Sequence, residues 1–218
     1  MLTGCNDAFV VDEEIRQQLL EADPKSGELI RPLAIGDDIR KWHIRDKNRY
    51  LIVTRIGVDI KRYPAIFRHL SQWEERLRNR SDQGHHWWEL RSCDYYAAFD
   101  KPKIIYPEIS VTSRFCYDTS GKYTNNKAFV IPTNDKYLLG VLGSNLVWRF
   151  LANTCTSVQG GALELKSIYM SQIPIPMASS DERQKMTYLV DCCLESGGRA
   201  SALFENQIEE LVNKLYGL

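Results

Sequence analysis

The chain has 218 residues, 44% apolar and 26% charged, with 28 basic and 28 acidic side chains. That composition supports one large packed domain, or one domain with a helical appendage, and excludes a disordered or low-complexity chain. It contains no run of about 18 apolar residues, the length a membrane-spanning helix needs, and the opening MLTGCNDAFVVDEE lacks the basic start and apolar stretch of a signal peptide.

Charge is unevenly distributed. Residues 1–30 carry 2 basic and 7 acidic side chains, residues 31–114 carry 17 and 11, and residues 115–218 carry 9 and 10. A basic middle flanked by acidic or neutral ends suits a local polyanion-binding face. The cysteines, at 5, 93, 116, 155, 192 and 193, contain no C-x-x-C pair, and reduced thiols are expected.

In chain order, Ala8–Val11 reads as a short strand entering a helix that Asp12 caps, with Glu13 and Glu14 in the first turn and Ile15, Leu19 and Ala22 on one face. Pro24 ends that helix. A turn is expected at Gly36, strands at Ile39–His43 and Tyr50–Thr54, and a charged hairpin-like loop between them. A continuous helix is expected from Pro64, with Ile66, Leu70, Trp73 and Leu77 on one face. SDQGHHWWELRSCDYYAAFDKPK reads as a mobile connection. Strands follow at Lys103–Ile109, Ser113–Tyr117 and Ala128–Ile131, with DTSGKYTNN as a turn cluster. Beyond them come a helical pair over about 135–153, a glycine-marked turn at Gly160 and Gly161, a boundary at PMASSDER, and two amphipathic helices separated by ESGGR.

Most catalytic patterns are missing. Neither GVLGSN nor QGGAL has the glycine spacing of a nucleotide or phosphate cradle. No Asn/Asp-Pro-Pro-aromatic motif of an amino-methyltransferase is present, so this chain alone is not expected to methylate. Glu164 and Lys166 in LELK resemble the end of a PD-(D/E)xK nuclease, yet no Pro-Asp precedes them, and a Mg²⁺-dependent cleavage assay is expected to give no product. His43, His69, His85 and His86 lack zinc-ligand spacing, and His85 and His86 read as exposed loop residues. What stands out is basic and aromatic interleaving in IRKWHIRDKNR and HHWWELRSCDYY, a combination able to pair with phosphates and base edges. Trp42, Trp73 and Trp148 read as core. Trp87 and Trp88 read as strand neighbours facing opposite ways, one of them half-exposed.

Seven segments and a closing tail carry a resemblance in order. TGCNDAFVVDEE, LAIGDDIRKW and YLIVTRIGVDIKRYPAIFRHL open it; WWELRSCDYYAAFDKPKIIYPEIS, RFCYDTSGKYTNNKAFVIP, KYLLGVLGSNLVWRFLA and GGALELKSIYMSQIPIP continue it, and IEELVNKLYGL resembles a helical tail. Together they resemble the TaqI-type C-terminal specificity domain, the target-recognition domain of adenine-N6 DNA methyltransferases and fused Type IIG restriction–modification enzymes.

The resemblance implies an α+β fold, a twisted, mostly antiparallel or mixed sheet with flanking helices and a C-terminal helical pair. It implies a recognition domain at 1–178 and a helical extension at 179–218. It also implies a sequence-specific recognition module with no catalytic or metal-binding residue of its own. S-adenosylmethionine, and Mg²⁺ where a nuclease is present, would belong to an upstream catalytic domain, and Met1 would open a fragment. The partners implied are double-stranded DNA and that upstream domain, without a membrane, in a bacterial or archaeal cytoplasm. The alternative is a specificity subunit of a phage-defence modification complex that docks protein partners. Asp100–Pro132 is expected to be mainly scaffold. The expected DNA contacts are Arg40, Lys41, Arg45, Lys47, Arg49, Trp88, Arg91, Tyr95, Arg114, Asn125 and Asn126.

Overall fold

The computed structural model describes residues 2–199 and 201–218; Met1, read above as the start of a fragment, lies outside them. The chain forms two compact units. One holds the residues through Ala34, Asp46–Asp100 and Gly121–Asn126; the other holds Ile35–Arg45, Lys101–Ser120 and Lys127–Leu218.

In the first unit, Asp12 caps as its position predicts: its Oδ1 accepts the Ile15 N–H at 2.9 Å at the start of the helix Glu13–Ala22. The strand before it is Val10–Asp12 rather than Ala8–Val11, because Ala8 and Phe9 complete a helical turn, Asn6–Phe9, that buries both side chains. Val10–Asp12, Arg49–Ile52, Ile30–Ala34 and Tyr123–Thr124 form a four-stranded sheet in that order. The first three strands are antiparallel, and Tyr123–Thr124 runs parallel to Leu33 and Ala34. This last strand lies where the sequence reads only turn. Two residues are too few to leave a period-2 pattern, and Tyr123 is held by stacking on Phe99 at 4.4 Å and by a 2.5 Å hydrogen bond from Arg55 to its hydroxyl.

The helix expected from Pro64 is two helices, Pro64–Ser71 and Glu74–Arg78. The break falls at Trp73, whose φ of −111° and ψ of 9° leave the helical region. Ile66, Leu70 and Leu77 of the expected stripe have no exposure, whereas Trp73, at the break, is half-buried rather than core.

In the second unit the strand Lys103–Pro107 lies between Cys116–Asp118 and Ala128–Pro132, antiparallel to both. All five of its residues are buried. Ile104 and Tyr106 join a large apolar cluster with the helices, whereas Ile105 packs with Ile39, Cys116 and Ala128, the alternation a strand imposes when both faces are covered. The expected Lys103–Ile109 strand breaks after Pro107, and Ile109–Ser110 joins Ala162–Glu164 and Ser157–Val158 in a separate sheet.

Four helices longer than the single turn Ser167–Met170 complete this unit among the described residues. Lys136–Leu142 is capped by Asp135 and Asn145–Thr154 by Ser144. Ser180–Glu195 starts with a capping box of Ser179 and Glu182, and Ala202–Leu215 packs beside it. Gly140 permits the close approach of the Lys136–Leu142 and Ser180–Glu195 helices, since a Cβ there would overlap the Met186 sulfur. Met186, Leu189, Val190, Ile208, Leu211 and Val212 share one cluster with Ile104 and Leu139. The unit therefore continues across residue 178, where the sequence reads a boundary. The architecture is α+β, with antiparallel and mixed sheets and a C-terminal helical pair.

Candidate nucleic-acid interface

The second unit builds its basic surface from a hairpin. Ile39 and Ile44 form a single antiparallel bridge; Arg40 N–H donates to His43 O and Arg45 N–H to Asp38 O, each at 2.9 Å. The Ile39–His43 strand expected from the sequence is absent, because the chain reverses at Trp42. That residue takes φ 70°, a left-handed conformation that a bulky side chain adopts only when packing demands it. The demand is clear: Trp42 is 2% exposed within the large cluster and lies against Gly143, and its N–H donates to Phe115 O at 3.1 Å. Lys41 is drawn the same way, its ammonium 2.6 Å from Glu205 and 5.3 Å from the Trp42 ring. Burial works to raise the Glu205 carboxyl, but hydrogen bonds from Lys41 and Ser201 and the Lys41 charge hold it below the usual carboxylate range. Lys41 is thus committed to the fold.

The bond from Trp42 to Phe115 brings Arg114 to the same place as Arg40 and Arg45. The Arg40 guanidinium donates to Asp37 O at 2.8 Å and Ile39 O at 2.7 Å. Burial first, and then the like charges of Arg45 and Arg114, push Arg40 below the ordinary arginine value, with Asp37 and Asp38 opposing. Arg45 is exposed and Arg114 half-buried, and neither has an ion pair among the described residues. Guanidiniums that repel one another and are not neutralised form a ready site for a polyanion.

The other expected contacts belong to the first unit. Lys47 is exposed on a tight loop in which Asn48 has φ 49° and its N–H donates to Asp46 at 2.9 Å. That N–H, followed by Lys122, holds the Asp46 carboxyl below its usual range. Arg49 is half-buried opposite Asp12 across the sheet. Asn125 is half-buried and Asn126 exposed, just beyond the Tyr123–Thr124 strand. Tyr95 is 53% exposed beside Phe99, 5.8 Å away between ring centres. Arg91 is exposed but bonded to Asp82 at 3.1 Å.

The segment read as mobile is pinned by two buried charges. Arg80, 7% exposed, donates to the carbonyls of Thr3, Trp87 and Glu89, and stands 4.5 Å from the Phe9 ring. Burial pushes this guanidinium below its ordinary value. Glu89, 1% exposed, accepts the N–H groups of Gly57 at 2.9 Å, His85 at 2.8 Å and His86 at 3.0 Å. Trp87 and Trp88 are not strand neighbours on opposite faces. They lie in a turn closed by a Gln83–Leu90 bridge, their rings 5.3 Å apart edge to face. Trp87 is buried and Trp88 half-buried, its ring stacked under His86 at 4.4 Å. Neither Arg80 nor Glu89 had a sequence signal, because each works on backbone groups distant from it or wrapped around it.

Elsewhere, Glu164 is occupied by Lys166 at 2.9 Å, and the described residues contain no group of three His, Cys, Asp or Glu able to hold a metal ion. Gly160 and Gly161 have φ of 79° and 73°, so the turn itself requires them.

A solved structure described as the Type IIL restriction–modification enzyme MmeI in complex with DNA superposes on this chain with a TM-score of 0.70 and 13% identity. The match covers 96% of this chain and 31% of that one, so the chain spans about a third of that protein's length. At this identity the likeness shows the fold. The TaqI-like C-terminal specificity domain matches residues 31–175, about two thirds of the chain. The chain belongs to the TaqI-like C-terminal specificity domain family.

Proposed function

We propose that this chain is the DNA-reading module of a restriction–modification enzyme, itself without catalytic activity. Membership of the specificity-domain family over residues 31–175 carries this reading, and the Arg40, Arg45 and Arg114 cluster supports it. The chemistry belongs to a methyltransferase domain outside this chain, which uses S-adenosylmethionine to methylate adenine N6, with Mg²⁺ needed where a nuclease is fused, as in Type IIG enzymes. Such an enzyme works in a bacterial or archaeal cytoplasm as a defence against phage DNA. In this chain Arg45 and Arg114 take phosphates and Arg40 supports them; within the first unit, taken by itself, Lys47, Arg49, Asn125 and Asn126 are DNA contacts.

The test is fluorescence anisotropy of the 218-residue chain with a labelled duplex over a salt series. Binding is expected to weaken with salt at a slope of roughly −0.9 per phosphate contact, and Arg45→Ala or Arg114→Ala should each reduce that slope by about one without changing sequence preference. A chain that shows no salt-dependent duplex binding would overturn the proposal.

A further inference from the structure

We infer that His85 and His86 are base-reading residues, presented by a preformed loop that Glu89 holds in shape; the inference rests on the DNA-binding reading above. Most of the backbone groups of the loop Gly84–Leu90 are already hydrogen-bonded. The N–H groups of His85 and His86 go to Glu89, that of Gly84 to Glu89 O, that of Glu89 to His86 O and that of Leu90 to Thr54 O. The carbonyls of Trp87 and Glu89 accept from Arg80, and that of Trp88 accepts from the Thr54 hydroxyl. The loop is wrapped so tightly that a Cβ at Gly84 would come 2.7 Å from both Glu89 Oε2 and Ile56 Cγ1.

A buried carboxylate is retained only when it is fully bonded; here two of the N–H groups it accepts, those of His85 and His86, shape this exposed loop, and the third, that of Gly57, anchors the loop to a neighbouring turn. Of the residues Gly84–Leu90, only His85 and His86 are exposed, and no ring nitrogen of either has a hydrogen-bond partner among the described residues. The His86 ring is held parallel to Trp88, 12° between planes. An imidazole carries one donor and one acceptor in its neutral form, a pair that can be matched to groove edges. A ring already fixed by stacking loses less conformational freedom on binding than a free side chain. Arg91, one of the DNA contacts expected from the sequence, is tied to Asp82. In this loop the exposed uncommitted groups are therefore the imidazoles, the Trp88 indole N–H being unpartnered but buried, and Glu89 is a positioning residue.

The test exposes the full chain to a randomised duplex library and reads the bound sequences. The wild type should select a preferred sequence. His86→Ala, or His85→Ala with His86→Ala, should lose roughly tenfold or more discrimination at one or two adjacent base pairs while keeping affinity for non-preferred duplex. Glu89→Gln should blur the same positions, whereas Arg45→Ala should lower affinity and leave the preference in place. The inference is overturned by an unchanged preference in the double histidine variant, or by a wild type that binds duplex without preference; either leaves the DNA-binding reading standing. A wild type that binds no duplex overturns both.

Discussion

Lys103 and Asp118 face each other across paired strands at 2.6 Å, with 0% and 4% exposure. In KPKIIYPE this lysine has the look of a surface charge, and only its register against Asp118 makes it a core residue. Asp118→Asn would leave a buried ammonium without its counter-charge and should destabilise the fold by about 3–5 kcal/mol in urea unfolding. Replacing both residues with apolar side chains of similar size should recover most of that loss. Arg45 and Arg114 make the opposite case. Neither has an ion pair among the described residues, so Arg45→Ala and Arg114→Ala should leave the urea midpoint nearly unchanged while weakening duplex binding. A residue whose loss changes both midpoint and binding would belong to the scaffold, and Lys41, paired with Glu205, is expected to behave that way.

Elements show how far local rules reach. The Pro64–Ser71 helix was readable because its apolar residues recur at helical spacing, and Leu70 has no exposure. Leu70→Ala should cost roughly 2–5 kcal/mol, the range for a truncated core leucine. The stop at Trp73 was not readable, since no proline or glycine stands there. The Gly84–Leu90 loop differs again: its composition is that of a flexible segment, and its order comes from Arg80 and Glu89. Gly84→Ala would force a Cβ onto Glu89 and Ile56 and should destabilise by about 1–3 kcal/mol, as overpacking does. Amide hydrogen exchange should show faster exchange at His85 and His86 in Glu89→Gln than in the wild type, before any change in the sheets.

For the molecule as a whole, two groups make acid destabilising. Glu205 sits below its ordinary value of 4.5 in the fold, so its contribution is fully present above about that pH and is lost as pH falls through the lowered value. His69 is pushed below 6.5 by burial, though its ring bonds Ala8 O at 3.0 Å. The unfolded chain then takes up a proton that the folded chain resists, so stability is full above 6.5 and declines as pH falls from there towards the lowered value. Both groups act in the same direction. Urea midpoints should fall on acidification, first through the histidine window and then through the carboxylate one. Glu205→Gln should flatten the second decline and leave the first intact.

Caps and stripes were determined by the sequence alone. Asp12, Asp135 and Ser179 each act on an N–H within three residues, and helical stripes repeat within a turn, so no distant partner is needed to see them. The family was legible for a related reason, since ordered segments along most of the chain carry it. Only the tertiary structure decided that Trp42 turns left-handed into a core, that Arg114 joins Arg40 from a distant part of the chain, and that Tyr123–Thr124 is a strand beside Leu33 and Ala34. It also decided which charges are spent inside, namely Lys41, Arg80, Glu89 and Lys103, and which remain for a partner. The physical reason is range. A charge becomes scaffold or contact through the groups that meet it after the chain has closed on itself, and those groups lie far away in sequence.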